Sequence, residues 1–276
     1  VDGDVRGVAG RASGMRGQDV ARISSQDRFR LRREIQPIFQ DPFSAYNPFY
    51  KVDHLLQAVI RMFKLARSRP EERALMEQSL ESVGLRPEET LGRYPHELSG
   101  VQRQRITIAR ALLLQPKLIM ADEPVSMVDA SLRATILESL RKLNQDLGTS
   151  ILYITHDLAT AYHISDDIMV LYQGSVTEAG NTSRIIQDPL HPYTQLLVGA
   201  IPWPDPKRKW VRATIVGGGE RTGDRGAGCK FAPRCARSMP MCYEVVPPLY
   251  RTDDNRVAAC HLYRDSPALR GSEISQ

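Results

Sequence analysis

The spacing of apolar and polar residues predicts strands that alternate with helices. Apolar strands are expected at residues 35–39, 117–121, 150–155 and 167–172, and helical spacing is found at 51–92, 100–114 and 131–147. Residues 1–34, which are rich in Gly and Arg, are expected to form edge strands and turns. Because strands and helices follow one another along the chain, the pattern predicts an α/β fold with a largely parallel sheet.

The regular pattern ends near Ile201, and no segment is long enough to cross a membrane. Three prolines at 202–206 and three glycines at 217–219 predict a loop-rich tail. The longest uninterrupted apolar run, at 168–172, has five residues, whereas a spanning helix needs about 20. No signal peptide is recognisable at the start of the chain. We therefore expect a soluble chain that reaches a membrane only through its partners.

Composition and charge narrow the class of protein. The 276 residues have a mass of 31.0 kDa, with 42% hydrophobic and 25% charged residues, which excludes disorder, collagen and coiled coil for the whole chain. The net charge is +5, and residues 203–234 contain eight basic but only three acidic residues. A basic segment can bind an anionic surface. This one lacks interleaved aromatic residues, so a solvated loop is the favoured interpretation and no nucleic-acid partner is expected.

The four cysteines are clustered. Cys229, Cys235, Cys242 and Cys260 lie in the last 50 residues, and the preceding 228 residues contain no cysteine. Such clustering predicts one local site rather than four separate core thiols. Disulfide bonds are the weaker explanation, because the sequence shows no secretory signal.

Two pairs of residues have the chemistry to act on a phosphate. Asp122 and Glu123 end an apolar strand, where one carboxylate can hold Mg²⁺ and its neighbour can polarise an attacking water molecule. Ser99 and Gly100 precede a predicted helix, whose N-terminal amide groups suit a phosphate. Each pair also has an ordinary explanation, as an exposed turn and as a helix N-cap.

Gln40 and His156 end two further strands. The histidine could reach a phosphate from the neighbouring strand, although a single histidine at a strand end is more often structural. Neither residue is informative alone. The order of all these features along the chain is what makes them informative.

In this order the features resemble the motifs of the ATP-binding subunit of an ABC transporter. The matches are Gln40 for the Q-loop, 98–102 for the signature motif, 118–123 for the Walker B strand, 126–129 for the D-loop and His156 for the switch histidine. The resemblance covers roughly residues 1–200. It implies a P-loop NTPase (RecA-like) ABC ATPase core with a helical subdomain, followed by a loop-rich C-terminal extension that contains the cysteines.

Three further segments are similar to the oligopeptide/dipeptide importer branch of this family. They are Phe39-Gln40-Asp41-Pro42 followed by Asn47-Pro48, His191-Pro192-Tyr193-Thr194 with Ala200-Ile201-Pro202, and the cysteine tail. The resemblance implies four regions: 1–40 as the remnant of an N-terminal β subdomain, 41–115 as the helical subdomain, 116–190 as the second half of the core, and 191–276 as the extension.

The resemblance also implies roles for the motif residues. Two ABC ATPase subunits would face each other head to tail, with ATP and Mg²⁺ between them. Carried over by position, Glu123 would be the general base, Asp122 would support Mg²⁺, and Gln40 would contact Mg²⁺ or the water. His156 would bind the γ-phosphate. The ATP of the opposite subunit would be bound by Ser99, Gly100 and Gln102, and Asp129 would contact that subunit. Catalysis would then rest on positioning and electrostatic stabilisation.

The implied partners are a second ABC ATPase subunit, two transmembrane permease subunits and, indirectly, a substrate-binding protein. The implied location is the cytoplasmic face of the cell membrane, as a peripheral subunit. The transported molecule is not readable from this sequence, since related tails occur on importers of peptides, nickel and sugars.

Two departures from the family pattern bear on activity. The sequence contains no Gly-x-x-x-x-Gly-Lys-Ser/Thr phosphate loop, and the nearest match, at 223–230, has Cys229 where the lysine belongs. The chain also begins with Val1 rather than Met. We therefore expect an N-terminally truncated fragment that binds ATP poorly alone, with a degenerate, non-catalytic subunit as the alternative. Val101, where the family usually has Gly, is expected to hinder approach to the phosphate.

The cysteine tail leaves three interpretations open. The spacing Cys-x5-Cys-x6-Cys-x17-Cys does not match the paired spacing of common zinc modules. Similar tails in this importer family hold a [4Fe–4S] cluster, which the resemblance implies here for the four cysteines. Zinc, with His261 as a further ligand, and metal-free thiols are the alternatives.

The sequence is consistent with three functions of the chain. The leading one is the energy-coupling ATPase of a peptide importer, and the second is a partner that supplies its signature motif but hydrolyses nothing. A soluble ABC ATPase of translation or DNA repair is disfavoured by the importer-type tail, the single nucleotide-binding unit and the lack of a coiled-coil insertion.

Overall fold

The computed structural model describes residues 22–41, 46–126, 130–201 and 227–269, of which residues 130–132 are described by backbone alone. It also describes the backbone of two short strands, β1 (Gly14–Met15) and β2 (Gln18–Asp19). Contacts divide the chain into two compact units, residues 1–154 and 155–276. The four-region organisation expected from the sequence stays a prediction.

The first unit contains a parallel sheet of three strands in the order β3-β4-β5. These strands are β3 (Ile35–Ile38), β4 (Leu118–Asp122) and β5 (Ser150–Ile154). All three follow the predicted apolar segments. Because parallel strands end at the same edge of a sheet, the residues that follow them are brought to one edge.

The faces of this sheet differ in exposure. Ile119 and Ala121 on β4 are fully buried, whereas the side chains of Met120, Leu152 and Ile154 are 39–49% exposed. Asp122 follows the alternation of β4 and lies on the same face as Met120. The predicted Mg²⁺ ligand therefore belongs to the open face of the sheet.

The first unit also contains α-helices. They are α1 (Ser25–Glu34), α2 (Asp53–Met62), α3 (Arg69–Ser82), α4 (Pro87–Thr90), α5 (Gly100–Leu112) and α6 (Ala130–Leu147). Helices α2, α3 and α5 pack on one another around the buried side chains of Leu56, Leu80 and Ile106. Within the described residues, no helix is both long enough and apolar enough to span a membrane.

The prediction of edge strands and turns for residues 1–34 is wrong for its last third. Residues 25–34 form α1, although the short strands β1 and β2 pair as expected. The Oγ of Ser24 caps this helix by accepting a hydrogen bond from the amide of Asp27 at 3.1 Å. Asp27 in the first turn and two arginines in the last turn complement the helix dipole. These local end signals outweigh the lack of an apolar stripe.

The second unit contains an antiparallel sheet of four strands in the order β6-β7-β9-β8. The strands are β6 (Asp167–Tyr172), β7 (Ser175–Asn181), β8 (Tyr250–Asp253) and β9 (Arg256–Ala258). Gln173 and Gly174, with φ of 48° and 74°, form the tight turn between β6 and β7. The expectation of a largely parallel sheet is therefore wrong here, because a two-residue turn forces the next strand to run back.

The second unit also contains short helices. They are α7 (Leu158–Ile164), α8 (Thr182–Gln187), α9 (Pro192–Gly199) and α10 (Met241–Glu244). Of these, α8 and α9 pack on β7. The tail is also more regular than its composition predicts, because β8 and β9 extend the sheet that begins at β6. Residues 202–226, which carry most of the excess positive charge, lie outside the described residues.

Candidate functional site

Three of the predicted site residues lie at the carboxyl edge of the parallel sheet. The pairing of β3 with β4 ends at Ile38 and Ala121. Gln40 therefore follows one strand, and Asp122 and Glu123 end or follow its neighbour, at the same edge. Gln40 and Asp122 are exposed, and Glu123 is partly buried. This edge offers two carboxylates and an amide to a polar ligand.

The backbone of Glu123 is held in an unusual conformation. Its φ of 46° lies in the left-handed region, which non-glycine residues adopt at a cost of about 1–3 kcal/mol. Its amide donates to the carbonyl of Ile154 at 2.9 Å, and its own carbonyl accepts from the amide and the Oγ of Ser126 at 3.1 and 2.9 Å. These bonds fix the turn, so the direction of the Glu123 side chain is set by the sheet.

The predicted phosphate-binding segment begins α5 with a reciprocal cap. The Oγ of Ser99 accepts from the amide of Gln102 at 3.2 Å, and the Oε1 of Gln102 accepts from the amide of Ser99 at 2.9 Å. The side chains of both residues therefore serve the helix end in this structure. The amides of Gly100 and Val101 have no acceptor within the helix, and they remain available to an anion.

Neither packing nor backbone conformation requires a glycine at position 100. A Cβ at this position would meet no atom within 4 Å, and its φ is not in the left-handed region. A glycine that neither packing nor backbone conformation demands is instead suited to the close approach of a ligand. Val101, the next residue, is partly buried.

Two predicted site residues fall outside the described part of the first unit. His156 is exposed and belongs to the second unit, just before Asp157, which caps α7 by accepting from the amide of Ala159 at 2.9 Å. Asp129 lies outside the described residues. The roles expected for both residues stay predictions.

In the second unit, the His191-Pro192-Tyr193-Thr194 segment is tied to a buried carboxylate. Glu178 on β7 is fully buried and accepts from the amides of Leu190 at 3.0 Å and His191 at 2.9 Å. Burial raises the pKa of Glu178, while the hydrogen bonds from these amides lower it. The Nδ1 of His191 accepts from the amide of Tyr193 at 3.0 Å, and burial lowers the pKa of His191 to about 4. The segment starts α9 as a neutral, capped turn.

The four cysteines converge as the sequence predicts. All four line one cavity, together with His191, Phe231 and His261. They are free thiols, and burial raises the pKa of Cys229 and Cys235 and raises that of Cys260 to about 11. Burial therefore favours the neutral thiol over the thiolate, which is the form that binds metal.

The convergence does not amount to a metal site. Among the described residues, no group of three or more His, Cys, Asp or Glu side chains is placed to hold a metal ion. The structure therefore supports neither the predicted [4Fe–4S] cluster nor the alternative zinc ion.

Comparison with known proteins decides the family. A family model described as "ABC transporter" matches residues 5–126, and one described as "Oligopeptide/dipeptide transporter, C-terminal region" matches residues 177–242. A di/tripeptide transport ATP-binding protein of Pseudomonas aeruginosa, DppF, is 41% identical over 248 residues, which are 89% of this chain and 75% of DppF. The chain belongs to the ATP-binding proteins of ABC transporters, in the oligopeptide/dipeptide branch.

Other comparisons agree. YkfD of Bacillus subtilis, which is named as an oligopeptide transport ATP-binding protein, is 40% identical over 253 residues, or 91% of this chain and 77% of YkfD. The solved dimer of the ATP-binding cassette MJ0796, in a post-hydrolysis state bound to ADP and phosphate, is similar with a TM-score of 0.54 and 27% identity. That match covers 61% of this chain and 72% of the other. The α/β P-loop fold expected from the resemblance is thereby confirmed.

Within this family fold, the structure adds residues that sequence reasoning missed. Gln104 on α5 is buried, and its Nε2 donates to the carbonyls of Phe39 at 3.4 Å and Pro124 at 3.0 Å. The only signal in the sequence was a polar residue in register with the apolar positions Ile108 and Ala111.

Two more side chains join α5 to the segment around Gln40. The hydroxyl of Tyr46 donates to the carbonyl of Arg103 at 2.8 Å, and burial raises the pKa of Tyr46 well above its usual range. The Nη2 of Arg110 donates to the carbonyl of Pro37 at 3.0 Å, and burial lowers the pKa of Arg110. The helix that begins at the signature motif is thus bonded to the strand that leads to the Q-loop.

Proposed function

We propose that the chain is an ATP-binding subunit that powers an ABC importer of oligopeptides or dipeptides. The observation that carries this proposal is the carboxyl edge of the parallel sheet, where Gln40, Asp122 and the conformationally fixed Glu123 come together. The peptide class of substrate is supported by the relatives, which are named for oligopeptide and di/tripeptide transport.

In the proposed hydrolysis, each of these residues and His156 has one role. Glu123 accepts a proton from the water that attacks the γ-phosphate, which a carboxylate in a fixed turn can do at low reorganisation cost. Gln40 orients this water, and His156 donates a hydrogen bond to the γ-phosphate. Asp122 presents an exposed carboxylate, and Mg²⁺ bound with nucleotide needs only one or two protein carboxylates, so this residue fits as its ligand.

The signature segment acts on a second nucleotide. We propose that ATP binds between two ABC ATPase subunits, with the α5 N-terminus of this chain, at Ser99, Gly100 and Gln102, against the γ-phosphate held by the opposite subunit. Asp129 meets that subunit. The open space at Gly100 supports this assignment, because it admits a phosphate close to the backbone.

The remaining proposals concern assembly. Two transmembrane permease subunits would bind the ATPase pair at the cytoplasmic face of the membrane, and a substrate-binding protein would deliver the peptide to them. Within the chain, residues 1–40, 41–115, 116–190 and 191–276 would form the N-terminal β remnant, the helical subdomain, the second half of the core and the extension.

A second candidate function is a partner subunit that does not hydrolyse ATP. The specific observation in its favour is that the 276 residues contain no phosphate loop, while Val101 alters the signature motif. Such a subunit would present Ser99 and Gly100 to the ATP of a complete subunit and leave its own carboxylates unused.

The first experiment measures ATP binding by the chain alone and in a mixture with a complete, phosphate-loop-containing ATP-binding subunit of a peptide importer. We expect no micromolar binding by the chain alone, because the backbone cradle and lysine for the β- and γ-phosphates are missing. We expect ATP-dependent association in the mixture. Micromolar binding by the chain alone would contradict the incomplete site, and no association in the mixture would contradict the proposed dimer.

Substituting Glu123 separates the two candidate functions. In an assembled pair whose complete subunit has lost its own catalytic carboxylate, the remaining ATP turnover depends on this chain. We expect Glu123→Gln to lower this remaining turnover about 100-fold at saturating ATP, because the amide cannot accept the proton of the attacking water. Steady-state phosphate release measures this. The matched control is Glu81→Gln, at an exposed position on α3, which should leave turnover unchanged. Unchanged turnover in Glu123→Gln would instead identify the non-hydrolysing partner.

A further inference from the structure

Gln104 is a buried amide that contacts two loops of the first unit at once. Its side chain is on α5, one turn after Gly100, and the residue is only 2% exposed. Its Nε2 donates to the carbonyl of Phe39, just before Gln40, and to the carbonyl of Pro124, just after Glu123. The two acceptors are separated from Gln104 by 65 and 20 residues of chain.

The nitrogen end of this amide is the end that makes the contacts. Its oxygen, Oε1, is buried and has no hydrogen-bond partner within the part of the chain that the structure describes. A buried acceptor without a partner lowers stability. A methionine of similar shape would avoid that loss, so stability alone does not explain a glutamine here. What the glutamine supplies is a donor to both loops.

The two hydrogen bonds of Gln104, to Phe39 and to Pro124, form a bridge between the two loops. The helix that carries Gln104 is anchored on either side of this bridge. Tyr46 donates to the carbonyl of Arg103, the residue before Gln104, and Arg110 donates to the carbonyl of Pro37. The backbone of α5 is therefore fixed relative to β3. The bridge connects this fixed helix to the two loops that carry the candidate hydrolytic residues.

We propose that Gln104 is a positioning residue that fixes the separation of Gln40 and Glu123 and joins both to the signature end of α5. This inference rests on the proposed function, since it assumes that these two residues act on ATP. Ser99 and Gly100 begin the same helix. A nucleotide bound at that end by the opposite subunit therefore contacts the helix that positions the hydrolytic residues of this chain.

The test compares Gln104→Met, which keeps the shape and removes the donor, with Thr107→Val. Thr107 is buried on the same helix, but its Oγ1 donates to the carbonyl of Gln104 inside the helix at 2.7 Å rather than to a carbonyl of either loop. Hydrogen exchange is followed at the amides of Glu123 and Ser126, which are bonded to backbone carbonyls. We expect exchange about tenfold faster in Gln104→Met and unchanged in Thr107→Val. The carbonyl carbon resonances of Phe39 and Pro124 should both move in the first variant only.

Gln104→Glu provides a second variant with a pH signature. A carboxylate cannot donate to either carbonyl, but the protonated acid can donate to one of them. Burial raises the pKa of such a group. Protection of the Glu123 amide in this variant should therefore fall as pH rises from 5 to 9, after correction for intrinsic exchange. In Gln104→Met it should stay flat.

The outcomes separate the bridge from the proposed function. In the pair whose complete subunit has lost its own catalytic carboxylate, Gln104→Met should lower kcat about tenfold and leave KM for ATP unchanged. Loop protection requires no nucleotide, so an inactive wild-type pair would overturn the proposed function without affecting the bridge. Wild-type exchange rates in both Gln104 variants, or an equal increase in Thr107→Val, would overturn the bridge itself.

Discussion

Gly100→Asp is expected to lower ATP turnover of the assembled pair by at least about 100-fold while leaving the chain folded. A Cβ at this position would meet no atom within 4 Å. At the first position of α5 the charge of the new side chain complements the helix dipole and stabilises the helix by about 0.3–1 kcal/mol. A phosphate bound at this helix end would be repelled by the same charge, by roughly 4 kcal/mol for two unit charges about 4 Å apart at an effective dielectric constant near 20. Turnover and thermal unfolding are measured on the same samples.

The matched control is Arg69→Asp, which places the same charge at the first position of α3 behind the N-cap Ser68. We expect it to preserve both stability and turnover. Wild-type turnover in folded Gly100→Asp, or an equal loss of turnover in Arg69→Asp, would contradict contact between the α5 N-terminus and the phosphate.

The candidate site could be predicted from the sequence wherever a motif is short and local. Glu123 directly follows an apolar strand, and Ser99 directly precedes a helix, so neighbouring residues alone determine their places. The fixed φ of Glu123 is different. It depends on the carbonyl of Ile154, which the fold brings from the next strand.

Contacts between distant segments are the part that periodicity does not reveal. Gln104 reaches Phe39 across 65 residues, and β9 pairs with β7 after the long segment that includes residues 202–226. The first contact depends on how α5 packs on β3, and the second on a short strand of only three residues, Arg256–Ala258. Periodicity identifies α5 as a helix but does not indicate which strand it packs on, and Arg256–Ala258 is too short to show a periodic pattern.

His191 is expected to make the stability of the chain fall between pH 6.5 and pH 4. Burial lowers its pKa from 6.5 to about 4, so the folded state holds the neutral ring. The stabilisation is fully present above pH 6.5, because the ring is then neutral in both states. Below pH 6.5 the unfolded chain binds a proton that the folded chain does not, and about 3 kcal/mol is lost as pH approaches 4. Urea unfolding between pH 4 and 8 measures this loss.

The control variant His191→Asn removes the titrating ring and keeps an acceptor for the amide of Tyr193. Glu178 has the opposite effect, because its raised pKa favours folding at low pH and this stabilisation is lost as pH rises above 4.5. The stability difference between wild type and His191→Asn therefore isolates the histidine, provided that Glu178 keeps its hydrogen bonds to the backbone of residues 190 and 191. His163→Asn, at an exposed position on α7, should follow the wild-type curve. A wild-type slope that survives in His191→Asn would show that the loss of stability in acid arises elsewhere in the protein.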